Sequence, residues 1–284
     1  MNAIFNAISG HKKIIFANEG RLLKKSFFGL LILTLAFQGG EFGNIIRNSM
    51  IDAYIQVSVF VGFTLFVFIG LDSLTNFDVK LFLSKTQKIH VPLAAFLGAI
   101  PGCGGAIIVV TQYIQGRISF GSLVAVLTAT MGDAAFLILA IEPSTGLLIF
   151  ILGIFVGSIS GYIIDISHGT KFMLPQSQIN VEFEKIKKTF VSNFNIFWIV
   201  IFIPGFVIGI ITAFQIDLSS QIYDNLFFLI GSSGAILSIF MWSLNPLSDF
   251  QCSTDKSRGY LSRVIDTTNF VTTWVISGFL IFEV

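Results

Sequence analysis

Two apolar runs lie within residues 91–141, which read VPLAAFLGAIPGCGGAIIVVTQYIQGRISFGSLVAVLTATMGDAAFLILAI, and each is interrupted near its middle. The first is broken by Pro101, Gly102, Cys103, Gly104 and Gly105. No continuous helix favours that run, because proline removes a backbone donor and glycine loosens the chain. The second carries Asp133 about halfway along, where a carboxylate is costly unless it faces water, a partner or an ion. A broken apolar segment followed by one with a buried acid is an arrangement typical of membrane transport sites.

Composition agrees. The chain is 54% hydrophobic and 12% charged, against roughly 25% charged residues in soluble domains. It therefore reads as a polytopic membrane protein whose main surroundings are the lipid bilayer. Nucleic-acid binding is excluded by the same figures, and a net charge of +1 points to no anionic partner. The polar, basic N-terminus lacks the pattern of a secretory signal.

Residues 1–25, with His11, Lys12, Lys13, Arg21, Lys24 and Lys25, form an amphipathic cytoplasmic lead-in. A first membrane repeat follows over 26–164. Its opening run, 26–37, falls short of the roughly 20 residues a full span needs. Residues 51–71 make a full span, 91–115 the broken segment, 120–141 an acidic helix and 145–164 another span. Gly153, Gly157 and Gly161 in the last of these repeat at the spacing that lets helices approach closely. A cytoplasmic loop, 165–193, precedes an incomplete second repeat over 194–284. The spans expected there are 194–214, interrupted at Pro204-Gly205, then 226–244, interrupted between Gly231 and Gly234, and 264–282.

Loop charge decides between two topologies. If 91–115 crosses fully, the lysines of 165–193 fall opposite the basic N-terminus. If it dips in and returns, they rejoin the N-terminus, Lys80, Lys85 and Lys88, and Lys256, Arg258 and Arg263 join them. The re-entrant reading obeys the positive-inside rule and is preferred. It gives seven spans and one broken hairpin, or eight spans if the break is only a kink.

Several residues could carry chemistry. The Pro101–Gly105 break could present backbone groups to a substrate, or be a packing kink. Cys103 offers a soft thiolate for a thiophilic metal, or is a buried inert thiol. Gln112 is a possible oxygen donor. Asp133 is a metal ligand, a proton carrier, or a structural acceptor capped by Thr128 or Thr130. Thr130, three residues earlier, shares its helix face, and Gly132 permits close backbone approach. Asp52 and Asp266 begin their spans, where the helix dipole also favours acids. Asn269 lies on a polar stripe with Thr267, Thr268, Thr272 and Thr273, which either lines a path or bonds its own backbone. No Walker loop, nucleophile elbow or paired Cys or His spacing occurs. Neither an enzyme nor a resident cofactor is expected.

Residues 51–63 are echoed by 265–279, each beginning Ile-Asp and reaching Gly-Phe. Under the re-entrant topology the copies run in opposite directions, as in an inverted repeat. The fold class expected is an all-α polytopic membrane bundle with a broken, re-entrant Pro-Gly-Cys-Gly segment and a partial inverted repeat. The segments IPGCGGAIIVVTQY, from Ile100, and TATMGDAAF, from Thr128, resemble the signature of the ten-transmembrane heavy-metal exporters. That family is also labelled a manganese transporter family and grouped with arsenic permeases. The resemblance implies a secondary transporter of the inner membrane that exports a metal cation such as manganese or a heavy metal. Asp133 and Cys103 would be its metal-facing residues. An arsenical or other oxyanion permease is the alternative. The family's second Pro-Gly-Cys-Gly and second acidic motif are not found here, so a further alternative is a half-transporter, inactive until a homo-oligomer or a second chain completes the repeat.

Overall fold

The computed structural model describes residues 20, 22–75, 89–100, 102–132, 134–175, 194–214, 216, 221–245 and 259–283. These are overwhelmingly helical, and no strand occurs among the described residues. A first helix, α1, covers 22–36. The long second one runs as α2 (Glu41–Asp52), a π-helical turn (Ala53–Ser58) and α3 (Val59–Thr75). Then come α4 (His90–Ala99), α5 (Gly104–Ile114), α6 (Phe120–Ala129), α7 (Ala134–Ile141) and α8 (Pro143–His168). The last three are α9 (Asn195–Ala213), α10 (Gln221–Leu244) and α11 (Tyr260–Glu283). Five helices among the described residues are long and apolar enough to cross a membrane: 41–70, 143–168, 195–213, 222–244 and 260–283.

The helix pair α4 and α5 is a re-entrant hairpin. Gly105 lies so close to the Leu97 carbonyl that a Cβ there would overlap it. A kinked but continuous helix could not bring residues eight apart together in this way. The short link after α5 returns to the level of His90, where Ser122 of α6 meets the imidazole. Helix α6 then runs parallel to α4, with Gly98 against the Val126 carbonyl.

The acidic segment 120–141, expected as one helix, is two. Helix α6 ends at Ala129, Thr130 is extended at φ −69° and ψ 119°, and Gly132 takes φ 62°. The chain does not turn back at this break. Ala125 faces Gly157, and beyond the break Ile138 and Leu139 face Gly146. Helices α6 and α7 therefore run on antiparallel to α8 as one broken crossing.

The glycine repeat of α8 does what its spacing suggests. Gly161 lies against Gly121 and Ala125, Gly157 against Ala125 and Ala129, and Gly153 over Ala129. Residues four apart on one helix meet residues four apart on the other, giving a small-residue seam. Val91, Ala94 and Ala95 of α4 complete this core.

A second core holds α1, α2, α9, α10 and α11 together around Tyr54, Ile55, Ile239 and Ile276. The interruptions expected at Pro204-Gly205 and Gly231–Gly234 do not break their helices. These glycines make room instead. A Cβ at Gly205 would lie 3.2 Å from the Tyr54 ring, and one at Gly234 would fall within that ring. Helix α11 lies antiparallel to α2 and α3: Ser49 Oγ donates to Glu283 at 2.7 Å, and Tyr260 donates to the Phe66 carbonyl at 2.7 Å. The echoed segments 51–63 and 265–279 thus run in opposite directions.

One side of the bundle gathers the ends of α1 near Lys25, α3, α5, α8, α10 and the start of α11. Lys25 Nζ donates to the Asn245 carbonyl at 3.4 Å there. Arg117, Lys171 and Arg263 lie on the same side. Glu41, Glu142, Asp224 and Glu283 lie on the other with Arg47. The described lysines and arginines other than Arg47 therefore gather on one side, as a re-entrant hairpin requires.

Candidate functional site

Helices α4 and α6 each have ten residues between the basic side and their break. At 1.5 Å per residue each rises about 15 Å, half of a ~30 Å hydrocarbon core. The first break begins two residues beyond the Gly98–Val126 contact and the second four residues beyond it, so both lie within about one turn of it. The two breaks therefore lie at a similar depth, near the middle of the membrane.

The first break has Ile100 extended at φ −58° and ψ 130°, Gly102 at φ 98°, and Cys103 as the N-cap of α5 without a side-chain cap. It rests on Thr64 of α3. A Cβ on Gly102 would come 2.9 Å from the Thr64 methyl, and one on Gly104 would overlap the hydroxyl oxygen. Thr64 is 9% exposed and donates to the carbonyls of Phe60 at 2.9 Å and Val61 at 3.0 Å. Cys103 is in no disulfide and borders an apolar cluster of Val61, Leu65, Ile69, Ile107 and Val264. At the second break, Thr130 Oγ1 donates to the Val126 carbonyl at 2.6 Å. The helix on which Thr130 and Asp133 were expected to share a face ends before either. Pro101 and Asp133 themselves lie outside the described residues.

The other residues singled out from the sequence lie elsewhere. Gln112 is eight residues past Gly104, about 12 Å along α5, and its side-chain oxygen accepts from Arg117 at 3.3 Å. Asp52 accepts from Gln56 at 3.0 Å and is about 18 Å from Thr64 along the helix. Asp266 is level with Thr64, because Thr268 two residues on meets Gly62 two residues before. It turns toward α10, however, and accepts from Asn245 Nδ2 at 2.9 Å. Asn269 accepts from Trp198 Nε1 at 2.9 Å. Thr268, Thr272 and Thr273 each donate to the carbonyl one turn back. Of the two readings of that stripe, backbone bonding accounts for these three threonines. No group of three or more His, Cys, Asp or Glu that could hold a metal occurs among the described residues.

A polar cap on the basic side was not foreseen. Asp165, in the last turn of α8, accepts from Ser119 Oγ at 2.7 Å and from the Gly121 amide at 3.1 Å. An acid is poorly placed near the C-terminus of its own helix. Here it offsets that cost by capping the N-terminus of α6. Ser119 also accepts from the Ser122 amide at 3.2 Å, and Ser122 Oγ meets His90 Nδ1 at 2.9 Å. Thr64 and this cap carried no distinguishing signal in sequence, since each depends on residues far apart in the chain.

A helical bundle with five described helices long and apolar enough to cross a membrane, a re-entrant hairpin and a broken crossing defines a polytopic membrane protein. The chain belongs to the family described as "Putative, 10TM heavy-metal exporter", which matches residues 41–284. Comparison with curated proteins and with solved structures gives no match.

Proposed function

We propose that the protein is a secondary transporter of the inner membrane that exports a metal cation, manganese or a heavy metal. The observation that carries this reading is that two packed helices, α4 and α6, both break at a similar depth, near mid-membrane, where irregular backbone is tolerated only if protein covers it or it lines a cavity. Family membership supplies the substrate class. Asp133, beside the second break in sequence, is the group we assign to charge compensation, as a cation ligand or a proton-exchange carboxylate. The basic side is cytoplasmic on this reading.

The test is metal accumulation in cells lacking their own exporters. Cells with the intact chain should hold less manganese or heavy metal than empty cells, and Asp133→Asn should return accumulation to the empty-cell level. Other divalent ions should compete, and oxyanions should not. Equal accumulation with and without a well-expressed intact chain would refute transport by this chain.

A further inference from the structure

Arg47 stands apart from the other described basic residues. It lies 19 residues before Phe66, whose carbonyl Tyr260 meets on the basic side. That is about 28 Å along the helix, close to the ~30 Å of a hydrocarbon core, so Arg47 is at the opposite interface. There its guanidinium closes the end of α1. Nη1 donates to the Ala36 carbonyl at 2.8 Å and the Gln38 carbonyl at 3.4 Å, and Nη2 donates to Asn44 Oδ1. All three acceptors are neutral. A guanidinium has five donors, so one on Nε and one on Nη2 are left without an acceptor among the described residues. No described carboxylate pairs with it either, although two lie on the same side: Asp52 accepts from Gln56, and Glu283 from Ser49. The C-terminal end of α1 offsets at most about half a unit of its charge. A half-buried cation with two unused donors calls for an anion.

The space beside Arg47 fits one. A crevice of about 50 Å³ between α1, α2 and α10 is lined by Ala36, Phe37, Arg47, Met50, Ser232 and Ile236. A water needs about 10–15 Å³ by this measure, so the crevice has room for roughly three or four. That is the scale of a phosphate group and far below that of a peptide. Arg47 and Ser232 apart, its walls are apolar, and they open on the lipid side, with Phe37 78% and Ile236 37% exposed. Phe240, one turn after Ile236 on α10, is exposed to the same degree, so an apolar strip leads from the crevice into the membrane. We propose that the crevice binds the phosphodiester of a phospholipid in the leaflet opposite the basic side, with Arg47 on the phosphate oxygens and an acyl chain along Ile236 and Phe240. The lipid then supplies the counter-charge that the protein does not. It also gives a reason for an arginine on the side that the positive-inside rule leaves poor in basic residues. None of this depends on the transport reading.

The test is native mass spectrometry of the full chain in detergent micelles, with phosphatidylglycerol as the probe. Diacylglycerol, which has the same tails and no phosphate, is run beside it. Wild type, Arg47→Gln, Ser232→Leu and Arg117→Gln are compared. Ser232→Leu fills the crevice and leaves Arg47 closing α1, so it decides alone if Arg47→Gln does not fold. Wild type should retain a phosphatidylglycerol that Arg47→Gln and Ser232→Leu hold about tenfold more weakly. Arg117→Gln should match wild type, and diacylglycerol should not be retained. If Arg47→Gln holds phosphatidylglycerol as wild type does, Arg47 only closes α1 and the inference is overturned. Unchanged retention by Ser232→Leu would overturn the crevice as the site, and equal retention of diacylglycerol would overturn the phosphate contact. Inorganic phosphate should not displace the lipid; if it does, the site takes a free anion and the lipid is overturned.

Discussion

Gly153, Gly157 and Gly161 look alike in sequence, yet alanine should act differently at each. A Cβ on Gly161 would lie 2.5 Å from the Gly121 carbonyl oxygen and 2.6 Å from a Val91 methyl. One on Gly157 would lie 2.7 Å from the Ala125 carbonyl oxygen, whereas one on Gly153 would find its nearest atom at 3.6 Å. An unstrained contact needs about 3.5 Å, so α8 would have to retreat from α6 by roughly 1 Å at either of the two tight positions. The obstacle is backbone, which cannot rotate aside. Overpacking of this kind costs up to about 3 kcal/mol, and alanine returns about 1 kcal/mol of helix propensity, leaving a net loss of about 2 kcal/mol. At Gly153 only the propensity gain of about 1 kcal/mol remains. Unfolding titrations in mixed micelles should therefore rank Gly153→Ala at or above wild type. Gly157→Ala and Gly161→Ala should lie below it by about 30-fold in the folding equilibrium. Equal losses at all three positions would refute the register of the seam, and no loss at Gly161 would refute the close approach itself.

Topology can be tested with Lys24→Cys and Arg117→Cys, in a chain whose own cysteines are replaced by serine. A membrane-impermeant maleimide should label both from the same side, whereas labelling from opposite sides would show that residues 90–114 cross the membrane.

The sequence carried the membrane class, the hairpin and the glycine seam because each has a local cause. Length and hydropathy mark a span, Pro101–Gly105 cannot continue a helix, and a four-residue glycine period marks a close helix face. Asp133 was legible as an unusual acid, but the break beside it was not. Thr130-Met131-Gly132 contains one weak helix former and one glycine, a combination that α10 carries without interruption at Gly231–Gly234. What separates the two cases is the neighbour. Tyr54 lies against Gly234 and uses the space within an intact helix, whereas a Cβ at Gly132 would meet nothing within 4 Å. Gln112 is set apart from the break for a different reason. It follows the break closely in sequence, but a helix turns eight residues into about 12 Å.

The two breaks use glycine in opposite ways, and the contrast bears on how the middle of the protein could change shape. Irregular backbone at membrane depth survives only where protein covers it or water reaches it. Gly102, Gly104 and Gly105 are buried against Thr64 and Leu97, so the first break is covered and its geometry is fixed by contact. Gly132 is half-buried with open space where a side chain would go, and what marks it is its φ of 62°. Changing the first break would require displacing α3 or unpacking α4 from α5. Rewinding the second would require only a few dihedral changes, with Thr130 Oγ1 already bonded to the carbonyl one turn back, as it would be in a continued helix. A conformational step at mid-depth would therefore meet less steric resistance at Thr130–Gly132, next to Asp133, with the hairpin tip as the fixed reference against which it moves.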